Sequence, residues 1–162
     1  MMRGRRFDIV ALSAARTAGK TFLLLEAGGS NPLIIQQSRM AAGSLATSFQ
    51  LEAKWVKVNV KGSPTEHTAA VVHPLDPGGT AFAGTVLADI NADVTSYLSD
   101  PEFIRGHSVW PSTIGWRYGS VRDEDMDEWI YIAPGELWGL KMINASISST
   151  TVLSTARVIE LL

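Results

Sequence analysis

Asp123, Asp125 and Asp127 stand at alternate positions, the spacing of the first ligands in an EF-hand calcium loop. Carboxylate oxygens clustered in this way suit a hard cation. The EF-hand pattern then needs a glycine where Glu128 stands and a bidentate glutamate where Pro134 stands. The run therefore reads as a solvated acidic loop paired with Arg117 or Arg122, with a calcium site of another type as the alternative. Ala18-Gly19-Lys20-Thr21 has the form of the end of a phosphate-binding loop. Ala14, however, occupies the place of its leading glycine, and Thr21 opens a strand rather than a helix, so a hairpin turn is expected. His67, His73 and His107 share no short metal-ligand spacing. No nucleophile elbow is present, and the Ser and Thr residues carry no local activation signal. A catalytic triad would have to assemble from groups distant in sequence. The residues predict no enzyme, no metal and no cofactor. Asn144-Ala145-Ser146 has the form of a glycosylation sequon, read as coincidence because no long apolar run follows the first arginines as a secretory leader would require.

The remaining candidates are for binding. Trp110 and Trp116 fall in a stretch rich in Pro and Gly, where an indole is available to a partner or to a sugar ring. Trp129 and Trp138 sit in apolar strand patterns and read as core. Arg3, Arg5 and Arg6 concentrate positive charge in a short arm, residues 1–6, ahead of the first apolar run. Arginines of this kind form bidentate bonds to carboxylates, so the arm is expected to lie against a protein partner.

The elements that must carry these residues are strands. Leu137 to Ala145 alternates, with Trp138, Leu140 and Met142 on one face and Gly139, Lys141 and Ile143 on the other. Leu24 and Phe49 are expected in the same core as Trp138. Thr21 to Leu25 is apolar on both faces, the mark of a buried strand. Ser48 to Val60 alternates at length, with Ala53 and Trp55 on one side and a second side that turns apolar at Val56, Val58 and Val60. Further strands are expected at Phe7–Leu12, Leu33–Gln37, Thr68–His73, Thr80–Leu87, Trp129–Ile132 and Thr151–Leu161. A short helix capped by Asp89 or Asn91 and ended by Pro101 is expected over Asp89–Asp100, and a long ordered loop over Phe103–Gly119.

At 162 residues one domain is expected, residues 7–162 after the arm. With 46% hydrophobic and 19% charged residues the chain is globular. A net charge of −2 argues against nucleic acid, no apolar run approaches a membrane span, and the lack of cysteine excludes disulfides and Cys-ligated zinc.

His73-Pro74-Leu75-Asp76-Pro77-Gly78, followed by the Ala/Thr-rich run Thr80 to Leu87, brings a resemblance into view. So do Glu128-Trp129-Ile130-Tyr131-Ile132-Ala133-Pro134-Gly135 and the closing Thr151-Val152-Leu153-Ser154 to Val158-Ile159-Glu160-Leu161. The chain resembles small jelly-roll proteins encoded among the head genes of tailed bacteriophages, capsid-associated proteins of the decoration or cement kind. The segment Asp93 to Trp116 has no counterpart in that pattern. The resemblance implies an all-β fold: a single antiparallel jelly-roll β-sandwich with one long loop insertion. It implies a virion structural role without placing the protein on the particle; the reading taken here is a protein on the outer capsid surface whose partners are the major capsid protein and itself, as a homotrimer. Apolar residues on both faces of Thr21–Leu25 and Val56–Val60 give the trimer its reason. Interface residues expected are Arg3, Arg5, Arg6, Trp110 and Trp116. A carbohydrate- or receptor-binding module of a spike or fibre, and a jelly-roll capsid subunit, are the alternatives.

Overall fold

A computed structural model describes residues 4–13, 20–42, 50–66, 68–79, 81–111, 115–120, 122–143 and 151–162. Arg3, Phe49, His67, Thr80 and the Asn144-Ala145-Ser146 sequon lie outside these residues.

Two antiparallel sheets face each other. In the first, β1 (Gly4–Leu12) pairs with β14 (Val152–Leu161) from Gly4 opposite Leu161 to Leu12 opposite Leu153. The other edge of β14 holds β3 (Leu33–Ala42), which carries β11 (Trp116–Gly119) and β12 (Ile130–Ile132). Strand β6 (Val71–Pro74) closes the opposite edge beside β1. In the second sheet β13 (Leu137–Met142) lies between β2 (Thr21–Glu26) and β4 (Gln50–Val60). Strands β7 (Thr85–Ala88) and β10 (Ile104–Pro111) form its edges, and β9 (Ser96–Tyr97) adds to β4. A small ladder joins β5 (Thr65–Glu66) to β8 (Ile90–Ala92). With β11 and β12 counted as one, the long strands pair first with last and inward from there: β1 with β14, β2 with β13, β3 with β11/β12, β4 with β10. That is a long hairpin wound into two sheets, the jelly-roll order.

Alternation places the core. Trp138, Leu140 and Met142 all point between the sheets and are buried there with Leu23, Leu25, Ala53 and Trp55. All five residues Thr21–Leu25 are buried because both faces of β2 are covered. Leu140 opposes Leu23 and Lys141 opposes Thr21, so Phe22 is the extra residue of a bulge and joins Leu23 in the core. Across the gap Trp55 Nε1 donates to Ser38 Oγ at 2.8 Å, a hydrogen bond linking the two sheets where both groups are buried.

Four expectations are corrected. Leu24 is buried, but on the outer side of the second sheet, where it meets Ile90, Val94 and Leu137 rather than Trp138. Phe103–Gly119 is not a loop: it holds a 3-10 turn (Pro101–Phe103), then β10 and β11. The excursion lies upstream, over residues 61–103, which widens both sheets with β6 and β7 and then crosses the outside of the second sheet. No helix forms over Asp89–Asp100. Asp89 has φ 46°, a left-handed conformation, and its N–H donates to the Phe22 carbonyl, which adds the segment to β2 instead of capping a helix. Finally, residues 4–6 of the expected arm are the opening of β1.

Trp138→Ala is expected to cost about 3–5 kcal/mol, the range for deleting a large buried aromatic. The Trp138 N–H has no acceptor, whereas that of Trp55 is taken by Ser38. Trp138→Phe should therefore be the milder change, and Trp55→Phe should lose a further ~1–3 kcal/mol by stranding the Ser38 hydroxyl. Urea denaturation of the three variants checks the order.

Candidate functional site

Of the five residues expected at an interface, the four described ones, Arg5, Arg6, Trp110 and Trp116, are not gathered on one surface. Arg5 donates from Nη2 to Glu160 Oε2 at 2.5 Å, and Glu160 is fully buried. Arg6 holds Asp76 through both side-chain and backbone donors, at 2.7 Å from Nη2 and 2.8 Å from N. The Arg6 hydrogen bonds keep the Asp76 carboxyl below its ordinary range. Both guanidiniums are thus engaged within the chain, which withdraws Arg5 in particular from a partner. Trp116 is also a correction: it is fully buried in β11, stacked on Tyr118 and donating to the Gly106 carbonyl at 3.1 Å. Gly106, at φ 64°, makes room for this, since a Cβ there would lie 2.4 Å from the Tyr118 ring. Trp110 is open to solvent, 36% exposed on the edge strand β10, beside Val109. The two indoles do not form one platform.

A polar cluster that the sequence reading missed lies on the outer side of the second sheet. Asp93, from the excursion, accepts from Thr21 Oγ1 at 3.0 Å, Tyr97 Oη at 2.9 Å and the Val94 N–H at 2.8 Å. Lys141 stands 3.8 Å from Asp93 Oδ2 and 4.1 Å from the centre of the Tyr97 ring. Burial pushes the Tyr97 phenol well above its ordinary value, with the Asp93 charge adding to the effect, and burial lowers Lys141. Gly139 permits the approach: a Cβ there would sit 2.9 Å from the Tyr97 ring and hydroxyl. Proton by proton, Thr21 and Tyr97 are both committed to Asp93 or to each other, and Thr21 is buried. The cluster fastens the excursion to the sheet, with both hydroxyls taken up inside it. Glycine at an outward position of β13, directly opposite Leu24, was the one sequence signal for it.

His107 Nε2 lies 2.6 Å from Glu52 Oε1, but the neighbouring Ser108 hydroxyl donates to the Gly106 carbonyl, so no Ser-His-Glu relay forms. Among the described residues no group of three or more acidic or His side chains is placed to hold a metal.

The outer face of the first sheet is open. Leu12 and Leu153, 58% and 40% exposed, oppose each other, and Val71, 53% exposed, opposes Val10. Next to this apolar strip Arg39 stands opposite Arg117, both exposed and neither with a carboxylate partner among the described residues. Arg157 is held bidentately by Asp8, at 2.7 and 2.8 Å, and that hydrogen bonding raises its hold on the proton. Asp8, Val10, Gln37, Arg39, Thr155 and Arg157 line a shallow depression of about 430 Å³.

Compared with protein-family models, with curated proteins and with solved structures, the chain matches none.

Tyr97→Phe tests the cluster. Loss of the hydroxyl should cost about 1–2 kcal/mol near neutral pH. In the parent chain the folded state keeps the phenol protonated where an unfolded tyrosine, with its value of 10.0, ionises. The unfolded state then binds fewer protons, so stability falls as pH rises past that value. Lys141, lowered on folding, contributes the opposite slope below 10.5 in both proteins. The difference between parent and variant should therefore shrink from about pH 9 to pH 11, read by urea denaturation at each pH.

Proposed function

We propose that this chain is a structural protein of a tailed-phage virion, binding the outside of the capsid as a decoration or cement protein and associating with itself as a homotrimer. The observation that carries the reading is the one-sidedness of the sandwich. The outer side of the second sheet is covered by the chain's own excursion, with Leu24, Ile90, Val94 and Leu137 buried beneath it. The first sheet and the β10 edge instead leave Leu12, Val71, Leu153, Val109 and Trp110 open. Exposed apolar groups beside arginines are the composition of protein interfaces.

Leu24 and Val56 are covered within the chain and only Val60, at the end of β4, stays 47% exposed, which moves the main reason for self-association from β2 and β4 to the first sheet. The β10 edge, with Trp110 at its centre of apolar exposure, is then the surface for the major capsid protein. Many copies on a closed lattice turn a modest contact into strong attachment, and each copy that bridges neighbouring capsomers raises the barrier to opening the shell. No cofactor enters this reading.

The test is to add the purified chain to tailed-phage capsids assembled without it and to map its density on the particles. Regular copies on the outer surface are expected. Trp110→Ala should weaken attachment by about tenfold or more, as for an aromatic anchor at an interface. Bare capsids at saturating protein would overturn the reading. Binding to glycans that is lost on Trp110→Ala would favour a receptor-binding module instead.

A further inference from the structure

We propose that the outer face of the first sheet seats the acidic turn Asp123–Glu128 of a second copy of this chain, joining copies head to tail. The inference rests on the self-association in the functional reading above and names the surfaces that make it.

The face carries a cost that a partner would relieve. Arg39 and Arg117 are direct cross-strand neighbours, and like charges so placed repel. Neither finds a carboxylate in its own chain among the described residues. Exposed arginines with no carboxylate partner among the described residues, beside the Leu12–Leu153 strip and in a chain of net charge −2, point to an acidic occupant with some apolar surface.

The same chain holds the complement. Five of the six residues Asp123–Glu128 are acidic, and the sixth, Met126, is 48% exposed. Asp127 and Glu128 are exposed as well. The turn is braced from behind: Trp129 N donates to the Met126 carbonyl at 3.0 Å, Trp129 Nε1 to the Ser120 carbonyl at 2.8 Å, and Tyr118 Oη to the Glu128 carbonyl at 2.5 Å. A braced loop loses little entropy on docking. The exposed Asp127 and Glu128 carboxylates suit Arg39 and Arg117, and Met126 suits the neighbouring Leu12 and Leu153. The turn, between β11 and β12, and the face are made of different residues, so each copy gives one and receives the other; such a heterologous contact forms the homotrimer of the functional reading when the rotation between copies is a third of a turn.

Sedimentation velocity of the full chain, with no capsid present, tests this separately from capsid attachment. The parent chain should associate, and less so as salt rises. Arg39→Glu with Arg117→Glu, or Asp127→Lys with Glu128→Lys, should each raise the dissociation constant by about tenfold or more. All four changes in one chain should restore association, because the charges are exchanged rather than lost. Arg39→Glu alone places opposite charges across β3 and β11, so its melting temperature should not fall, which separates lost association from lost folding. A parent chain still monomeric at about 100 μM, where a ~1 μM contact would be saturated, overturns the proposal. So does association indifferent to both charge reversals, or a fourfold variant that stays apart. Face variants that associate normally but no longer bind capsids would assign the face to the capsid protein instead.

Discussion

Glu160 is a carboxylate with no access to water, and the architecture is arranged around satisfying it. A buried charge is tolerated only when it is paired and hydrogen-bonded. Glu160 is met by Arg5 at 2.5 Å and by the Ala83 N–H at 2.9 Å. Those three residues belong to β14, to β1 and to the excursion between β6 and β7. The one carboxylate therefore ties the central strand of the first sheet to its neighbour and to the segment that widens both sheets. Register follows from it, because Arg5 opposes Glu160 and a slip of one residue would turn the carboxylate to the other face. Arg5 Nε remains without an acceptor, so the pair is held on one side only and depends on the Ala83 contact to complete it.

Much of this was legible in the residues. The alternation of Trp138, Leu140 and Met142, the doubly apolar Thr21–Leu25 and the Trp55 side of β4 all lie where a period of two places them. What escaped reading depended on groups far apart in sequence. Arg5 and Arg6 look like a solvated tail until Glu160 and Asp76 are brought to them. Phe103–Gly119 looks like a loop because Gly106, Pro111 and Gly115 punctuate it. Gly106, however, sits in the register shift of an edge strand, where a bulge bends the chain without ending it. Leu24 and Trp138 are both apolar and both buried, and composition cannot say that a second layer covers Leu24 from outside. The Thr21–Asp93–Tyr97–Lys141 cluster was invisible for the same reason, since its members come from three separate elements.

The two sheets are thus unequal in what they offer. One has its outer side closed by a segment fastened through Asp93 and Tyr97. The other keeps an apolar strip and an arginine pair open to whatever meets them. The groups in the fastened cluster are consumed in holding the fold, and those on the open face are free to be consumed in binding.

The strand order has a bearing on how the molecule is made. Strand β14 is flanked on both sides by β3 and β1, and β13 by β2 and β4. The middle strand of each sheet is therefore made after both strands that flank it. Until residues 137–161 emerge, β1 and β3 have a gap between them, as do β2 and β4. Each growing sheet is hollow at its centre, with the apolar Phe22–Leu25 edge unprotected. Such non-local pairing is slow and leaves strand edges open to the wrong neighbour. Nascent copies crowded on one message would be vulnerable to exchanging these central strands, and a chaperone that shields β2 during synthesis would be of most use to this protein before residues 137–161 appear.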